Sequence, residues 1–364
     1  MVRITTSIVA LCAALIATAP VAAADYNVVY DQGDNGDQLR SGYNMDPSDW
    51  TGLGDKDDTM NFEFGLRYWY SQGASSWPGI GGSFGASDTS HILEGHLRIE
   101  DHSTNTFATA IAGYSMTSSG SYDDPFHSGS ISSGHIGYIG ADLGWNTWAD
   151  GKGSGIGPIL GYQYYNDQLL TRQATFVANQ PGDSFSFDQA TGDITGGYKF
   201  DSAPNNIDVN MLRLGASAKA DLGFFDVTGT LAAVPYAMVK GVVGDDELAP
   251  TYTATGAGNN IDVAKASATA IDGWGYGAAA DVMLRVHPVK NMTIGLGGRV
   301  WYLQGSADAS FDTVHIGDPT DSDPLTNPPN FDTAPDVTRT HWVQHGDPFS
   351  MMRYGITAEL SYAF

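Results

Sequence analysis

Two clusters of acidic residues have the composition that acid–base hydrolysis requires. Asp123 and Asp124 are adjacent, with His127 three positions later, and residues 245–247 read Asp-Asp-Glu. Paired carboxylates share a proton and hold a water molecule between them, which is one way to cleave a peptide bond. Acidic pairs at loop tips more commonly serve only solubility. The choice between these interpretations depends on the elements that position the clusters.

The last thirteen residues, from Met352 to Phe364, alternate between two kinds of side chain. One face carries Tyr354, Ile356, Ala358, Leu360, Tyr362 and Phe364. Because successive residues of a strand point to opposite faces, this segment predicts a strand with one apolar and one polar side. An apolar outer face and a final aromatic residue are typical of a strand that closes a barrel in lipid.

The same alternation predicts ten strands, an even number, as in single-chain bacterial barrels. The predicted strands cover residues 62–71, 91–101, 107–116, 135–148, 157–166, 211–222, 225–236, 276–286, 292–303 and 352–364. Short connections are predicted at 102–106, 149–156, 223–224 and 287–291, and long ones at 72–90, 117–134, 167–210, 237–275 and 304–351. This alternation predicts an all-β, antiparallel transmembrane barrel with short periplasmic turns and long extracellular loops. Pro235 predicts a bulge or an early end in the seventh strand.

The amino-terminal part has the pattern of an export signal. Residues 1–24 combine Arg3, an apolar run and a small-residue cleavage site, so we expect a cleaved signal peptide. A retained anchor helix is the alternative, but the apolar run is short for a membrane span. Residues 25–58 are predicted to be a flexible, acidic periplasmic segment, and 59–364 the barrel. Cys12, the only cysteine, lies in the signal, so the mature chain needs no disulfide.

The charge balance limits the partners of the chain. It has 41 acidic and 17 basic residues, a net charge of −24, which argues against nucleic-acid binding. The predicted loop 304–351 is especially rich in Asp, and such a loop is expected to be solvated. Carboxylates also suit Ca²⁺, although no loop has the EF-hand order. We therefore predict no cofactor, with a divalent cation or lipopolysaccharide at the outer rim as the ligand that acidic loops would suit.

The inward faces of the predicted strands carry seven basic and seven acidic residues. They are Arg67, Arg98, Arg213, Lys219, Arg285, Arg299 and Arg353, with Glu63, Glu94, Glu100, Asp142, Asp221, Asp281 and Glu359. Charges in a water-poor interior must pair, so equal numbers predict a packed ionic network. Ten strands make a narrow barrel, which also favours a filled lumen over an open channel. His96 shares this face and is interpreted as a network member, since no second metal ligand follows from spacing.

Several short sequences along the predicted barrel have counterparts in a known family. They are Gly161-Tyr162-Gln163, Tyr276-Gly277-Ala278, His287-Pro288 and Leu360-Ser361-Tyr362-Ala363-Phe364. Together with the ten strands and the loop order, they resemble the omptin family of outer-membrane proteases. The resemblance covers the chain from about residue 60 onward.

This resemblance implies an active site at the extracellular rim, built from an aspartate pair in the second long loop and an Asp-x-His unit in the fourth. Asp123 and Asp124 stand in the first place, adjacent rather than one residue apart. Asp245 stands in the second, with Glu247 where the family has histidine. A carboxylate does not replace an imidazole that takes up a proton near neutral pH. The histidines that could do so from elsewhere are His127, His341 and His345.

The sequence thus predicts an integral outer-membrane β-barrel with acidic surface loops and a structural or surface-interaction role, without enzymatic activity. An omptin-type endopeptidase and a narrow porin are the alternatives. The predicted partners are outer-membrane lipid, lipopolysaccharide, and the barrel-assembly machinery through the strand that ends in Phe364.

Overall fold

The computed structural model describes most of the predicted barrel. The described residues are 60–79, 82–123, 128–149, 154–169, 184–191, 194–197, 205–243, 251–254, 264–265, 267–289, 291–316, 320–323, 325, 330–333 and 337–364. The predicted signal peptide (1–24) and periplasmic segment (25–58) lie outside them.

The secondary structure of this part of the chain consists of β-strands. They are β1 (Met60–Gly79), β2 (Gly82–Asp101), β3 (Thr106–Asp123), β4 (Ser128–Ile131), β5 (Gly134–Trp145), β6 (Trp148–Ala149), β7 (Gly155–Leu169), β8 (Ser184–Phe187), β9 (Ile194–Gly197), β10 (Asn206–Asp221), β11 (Phe225–Val243), β12 (Thr251–Ala254), β13 (Ala264–Lys265), β14 (Thr269–Val289), β15 (Met292–Ile316) and β16 (Val337–Ala363). Among the described residues, no helix is long and apolar enough to cross a membrane.

Ten of these strands close into a ring of antiparallel neighbours. The order around the ring is β10, β11, β14, β15, β16, β1, β2, β3, β5 and β7, and β7 pairs back to β10. β1 and β16 close the ring, in register from Glu63 opposite Ala363 to Ser76 opposite Ser350. Each strand of the ring has a neighbour on both sides, so its backbone groups find partners without water. The prediction of a ten-stranded antiparallel barrel is confirmed.

The outer surface of the barrel carries an apolar belt with aromatic residues at both ends. In β1, Phe62, Leu66 and Tyr70 are exposed, whereas Arg67 and Trp69 are buried in the lumen. The stretch from Phe62 to Tyr70 is about the 9–11 residues that a tilted strand needs to cross a bilayer. One rim of the belt carries Phe62, Trp145, Trp148, Phe224, Tyr362 and Phe364, and the other Tyr70, Tyr114, Tyr162, Tyr236, Tyr276, Tyr302 and Tyr354. This arrangement matches the aromatic girdles of outer-membrane barrels.

The short turns at one rim have residues suited to left-handed backbone. Asn105, Gly223 and Asn291 have φ of 54°, 86° and 71°. Gly and Asn adopt this region at the least cost, so the sequence favours tight reversals at these three positions. In the turn after β2, Ser103 and Thr104 donate hydrogen bonds to the Asp101 carboxylate.

The strands continue far beyond the belt on the other side, where the sequence predicted long loops. β1 and β2 pair up to Gly79 opposite Gly82, so most of the predicted loop 72–90 is a hairpin. The predicted loops 117–134, 237–275 and 304–351 are likewise partly strand. From Leu303 to Ile316, β15 continues beyond the belt for about 45 Å measured along the strand. The predicted boundaries were wrong because they followed lipid-facing alternation, which ends at the belt although backbone pairing continues.

We call this part of the barrel the extracellular extension. It comprises the described residues within 71–90, 117–136, 166–169, 205–210, 237–243, 269–275, 303–316 and 337–351. β11, which contains Pro235, continues into the extracellular extension. Its register with β14 shifts between Val234 and Ala237, which confirms the predicted bulge.

Lumen-facing glycines such as Gly65 leave room for the side chains of neighbouring strands, whereas Gly95 is on the lipid-facing side of β2, so substitutions at the two positions should differ sharply. A Cβ on Gly65 would lie 2.6 Å from His96 Nδ1 and 2.7 Å from Ser361 Cβ, whereas a Cβ on Gly95 meets nothing within 4 Å. We expect Gly65→Val to destabilise the refolded barrel by about 1–3 kcal/mol through overpacking. Gly95→Val, the matched control, should leave the urea midpoint in detergent micelles unchanged. Equal midpoints for the two variants would contradict this packing.

Candidate functional site

The lumen within the belt contains a buried ionic network centred on Glu94, whose exposed fraction is 0%. Arg67 Nη1 lies 3.3 Å from Glu94 Oε1, and Arg299 Nη1 lies 2.5 Å from Oε2. The Tyr138 hydroxyl donates to Oε2 at 2.6 Å. One carboxylate on β2 therefore joins β1, β15 and β5 across the lumen, which fixes their positions relative to each other.

A second group of charges lies on the periplasmic side of Glu94. Glu359 accepts a hydrogen bond from Arg67 Nε and lies 3.3 Å from Arg285 Nε. Glu63 accepts from Arg285 Nη1 at 3.2 Å and lies 3.4 Å from His96 Nε2. These residues come from four strands, and the closure of β1 onto β16 brings them together.

The remaining predicted lumen charges form smaller pairs at the wall. The ion pairs are Asp281–Arg299 at 2.8 Å, Asp142–Arg213 at 3.2 Å, Glu100–Arg98 at 2.6 Å and Glu100–Lys219 at 4.0 Å. Asp221 was predicted in this network but is exposed at the end of β10, where its carboxylate accepts the Gly223 N–H at 2.8 Å. The strand ends at that residue, so its side chain serves the turn instead of the lumen.

Arg353 lies apart from the Glu94 network, at the base of the extension. Its Nη2 is 2.7 Å from Asp88 Oδ1, and its Nη1 donates to Ser71 at 3.0 Å. Ser90 also donates to Asp88, at 2.6 Å. Asp167 is buried nearby and accepts a hydrogen bond from Tyr165 at 3.3 Å. The sequence missed Asp88 and Asp167 because both fall in segments predicted as loops.

An aromatic layer separates these two charged regions. It consists of Trp69, Tyr138, Tyr165 and Trp301, with ring centroids 6.0 Å apart for Trp69–Trp301 and 4.8 Å for Tyr165–Trp301. The Arg299 guanidinium lies over the Trp69 ring at 5.2 Å, so the layer packs directly on the Glu94 network. Trp69 and Tyr165 have exposed fractions of 0%, which places them in the interior of the barrel.

Above the Arg353 cluster the lumen is apolar. The rings of Trp77 and Phe349 stack at 5.3 Å. The same core includes Phe84, Ile131, Ile136, Leu169, Ile207, Val209, Val239, Val243, Ile271, Leu303 and Met351. The extension therefore has a hydrophobic core like that of a soluble barrel, and the predicted loop 304–351, which was expected to be solvated, contributes Ala307, Ala309 and Phe349 to it.

The predicted catalytic candidates fall largely outside the described residues. These are Asp124, His127, Asp245, Asp246 and Glu247. Asp123 is described and is exposed at the end of β3, opposite Gly85 of β2 and Ser128 of β4.

Two of the other candidate histidines form pairs with aspartates on the β15–β16 part of the extension. His341 Nδ1 lies 2.7 Å from Asp312 Oδ1, and His345 Nδ1 lies 2.8 Å from Asp308 Oδ2. The hydrogen bonds from His345 and His341 lower the pKa of Asp308 and Asp312, respectively. The neighbouring residues Ala309 and Phe311 are buried, so these carboxylates project to the outer surface of the barrel.

The lumen also brings together donor atoms of a kind that binds metals. Oxygens of Glu63 and Glu359 and a ring nitrogen of His96 all lie within 4.8 Å of one another. The residues are on three strands, which is why sequence spacing gave no sign of the group. Arg67 and Arg285 already contact the same carboxylates and supply the positive charge that a metal ion would bring.

A hydroxyl–imidazole–carboxylate chain lies at the periplasmic rim, at the His287-Pro288 sequence. His287 Nε2 lies 2.9 Å from Asp226 Oδ2, and its Nδ1 lies 3.1 Å from Thr293 Oγ1. Thr293 and Asp226 are buried, with exposed fractions of 6% and 2%. A buried hydroxyl is poorly placed to attack a substrate, so this chain serves to join β11, β14 and β15 at the rim.

Comparison with solved structures connects this geometry to bacterial outer-membrane proteins. The outer membrane protease OmpT from Escherichia coli is 11% identical, with a TM-score of 0.52, over 86% of this chain and 99% of that chain. The translocator domain of the autotransporter NalP from Neisseria meningitidis is 10% identical, with a TM-score of 0.32, over 86% and 92%. The Pseudomonas putida toluene transporter TodX is 10% identical, with a TM-score of 0.26, over 84% and 89%. No protein-family model and no curated protein matches the chain.

These findings define the class of protein. The closed ring, the apolar belt and the likeness to OmpT show an outer-membrane β-barrel, and the belt places the chain in that membrane. At 11% identity, the omptin-like resemblance is supported for the fold alone.

The position of Glu94 predicts a large effect of removing its charge. In Glu94→Ala, Arg67 and Arg299 would lose the carboxylate that both contact, and breaking a buried pair in this way costs about 3–5 kcal/mol. Asp272→Ala is the control, because its 3.0 Å pair with Lys240 is exposed and worth at most about 1 kcal/mol. Urea unfolding of both refolded variants measures the difference. A Glu94→Ala midpoint equal to that of Asp272→Ala would show that the network does not stabilise the barrel.

Proposed function

We propose that this protein is a non-conducting outer-membrane barrel with a structural or surface-interaction role that its extracellular extension performs. The filled lumen is the observation that carries this proposal. From the periplasmic side outward, the lumen contains the Glu94 network, the aromatic layer, the Arg353 cluster and the apolar core of the extension. These layers leave the outer surface of the extension as the part available to other molecules.

The aromatic layer and the apolar core are the parts that oppose conduction. An ion crossing the barrel needs a continuous path of water or polar ligands. Trp69 and Tyr165, in the aromatic layer, each have an exposed fraction of 0%. Trp77 and Phe349, in the apolar core of the extension, have exposed fractions of 2% and 3%. This arrangement favours the filled barrel over the narrow porin.

The outer surface of the extension is acidic, in keeping with the net charge of −24. Its described outward charges include Asp272, Asp308 and Asp312, against Lys240 and Arg339. An acidic surface attracts partners of positive charge over a distance of about one Debye length. We therefore favour a cationic partner, with lipopolysaccharide and its bridging divalent cations as the neighbours of the extension at the membrane surface.

Planar-bilayer recording tests the non-conducting barrel. We expect refolded wild-type protein to give no regular current steps, because the lumen is filled at several levels. The combined variant Trp69→Ala, Tyr165→Ala, Trp301→Ala, Trp77→Ala and Phe349→Ala should leak, since it opens both the aromatic layer and the apolar core, and so provides the positive control for insertion. Uniform steps from the wild-type protein would contradict the proposal.

An endopeptidase is the second candidate, and the Asp308–His345 and Asp312–His341 pairs are the observation that favours it. In each pair the carboxylate orients the imidazole through Nδ1, which leaves Nε2 to take a proton from water. His345 and His341 have side-chain exposed fractions of 74% and 63%, so a peptide could reach them. Both pairs lie on the outer surface of the barrel wall. A peptide bound there would be less enclosed than in a cleft, which makes the endopeptidase the second candidate.

A fluorogenic dibasic peptide, incubated with refolded protein and lipopolysaccharide at neutral pH, separates the two candidates. We expect cleavage no faster than in buffer. Cleavage that Asp124→Ala, His345→Ala or His341→Ala abolishes, and that His91→Ala preserves, would establish the enzyme. The hydrogen bonds from His345 and His341 lower the pKa of Asp308 and Asp312, so both carboxylates are ionised at the neutral pH of this assay.

A further inference from the structure

The lumen contains a cavity on the periplasmic side of the aromatic layer. Its volume is about 100 Å³, and Trp301 of the aromatic layer closes one end of it. One water molecule occupies about 30 Å³ of liquid, so the cavity has room for about three waters or one small polyatomic ion.

The wall of this cavity is cationic. Five guanidinium groups line it, those of Arg67, Arg98, Arg213, Arg285 and Arg299. Only two acidic side chains line it as well, Asp142 and Asp281. The glutamates that pair with Arg67, Arg98 and Arg285 are not among the lining residues. The network is balanced as a whole, but the residues that line the cavity carry five positive charges against two negative ones.

Several buried polar atoms around the cavity lack hydrogen-bond partners within the described part of the chain. The donors include Arg213 Nε and Arg285 Nε, although Arg285 Nε lies 3.3 Å from a Glu359 oxygen. His96 Nδ1 also lacks a hydrogen bond, whereas His96 Nε2 lies 3.4 Å from Glu63 Oε1. Arg213 and His96 have exposed fractions of 9% and 3%, so bulk water does not satisfy these groups. Buried donors left in this state are costly, and an acceptor placed in the cavity would relieve the cost.

A carboxylate oxygen of Asp142, one of the residues that line the cavity, indicates which kind of anion the cavity suits. Asp142 Oδ1 is buried and, among the described residues, has no hydrogen-bond donor. A bare anion would meet only repulsion from this oxygen. An oxyanion that keeps a hydroxyl group near neutral pH would donate its O–H to Asp142 and accept hydrogen bonds from the arginines.

The distribution of exposure indicates the route into the cavity. Ser217, Thr228 and Thr230 line the cavity and are partly exposed. The Lys219 side chain, 25% exposed, lies on the same strand as Ser217, nearer the periplasmic rim. Trp301 and Tyr165, at the other end, are buried. An ion would therefore enter from the periplasm and stop at the aromatic layer.

We propose that this cavity binds a small hydroxyl-bearing oxyanion from the periplasm, either inorganic phosphate or the terminal group of a phosphomonoester. Arg213 supplies the central unpartnered donor, Asp142 accepts the proton of the bound ion, and the other arginines neutralise its charge. The site does not depend on the proposed surface role, because it uses the periplasmic side of a lumen that remains closed.

Isothermal titration calorimetry on the refolded full-length protein in micelles tests the site with three probes: inorganic phosphate, glycerol phosphate and sulfate. We expect saturable phosphate binding with a Kd below about 10 mM. Sulfate, which has no proton to donate at neutral pH, should bind about tenfold more weakly or worse. Comparable binding of glycerol phosphate would identify a phosphomonoester end as the ligand class, and its failure would identify the free ion; either outcome supports the site.

Variants separate the site from general charge effects. Arg213→Gln should weaken phosphate binding by about tenfold or more, whereas Arg339→Gln, on the extension, should leave it unchanged. Asp142→Asn should abolish the preference for phosphate over sulfate, because an amide can donate to either. Thr230→Leu fills the cavity without removing a charge and should also block binding, which covers the case in which Arg213→Gln fails to fold. Absence of saturable phosphate binding to the wild type, or equal loss in Arg339→Gln, would overturn the proposal.

Discussion

Pairing between β1 and β16 is the constraint on which the rest of this structure depends. Lipid offers no hydrogen bonds to a strand edge, so a sheet that crosses the membrane must close. Closure also creates the lumen. Arg67 meets Glu94 through the β1–β2 hairpin, but it meets Glu359, which is 292 residues away in sequence, only because the ring is complete. The same contact that satisfies the backbone therefore assembles the ionic network inside.

The polarity of the barrel reverses between the membrane and the space outside it. Within the belt the outer face is apolar and the lumen holds charges, which must pair because water is scarce there. In the extension the outer face carries Asp272, Asp308 and Asp312, and the lumen holds Trp77, Phe349 and their neighbours. The change from lipid to water around the barrel explains both regions. Apolar side chains face outward where the barrel is surrounded by lipid, and they face the lumen where it is surrounded by water. The Arg353 cluster and the aromatic layer lie where the two regimes meet.

The distribution of polar and apolar side chains indicates which surfaces of the barrel are available for function. The likeness to OmpT is a likeness of fold, and similar folds serve unrelated functions through their loops and surfaces. In this chain the lumen of the extension is packed, and the Asp–His pairs of β15 and β16 lie on the outside. Within the described part of the chain, the two places proposed to bind other molecules are therefore the acidic outer surface of the extension and the arginine-lined cavity near the periplasm.

Much of the fold could be predicted from the sequence because strand alternation is a local property. The period of two in segments such as 62–71 and 352–364 determined that there are strands, which faces meet lipid, and which charges point inward. The bulge was predicted from Pro235 itself, because proline has no N–H to donate to the ladder. The extension could not be predicted from this alternation. Its outward positions are polar, so its strands lack the lipid-facing pattern although their backbone hydrogen bonds continue.

The partners of the inward charges were decided only by the tertiary structure. Register and closure place His96 between Glu63 and Glu359, separate Arg353 from the Glu94 network, and leave Asp221 in a turn. They also bring Asp88 and Asp167, which lie in predicted loops, next to Arg353. The sequence by itself determined which side chains are charged and which way each strand turns them. Their pairing depends on contacts between strands far apart in sequence, and the closed ring alone sets those distances.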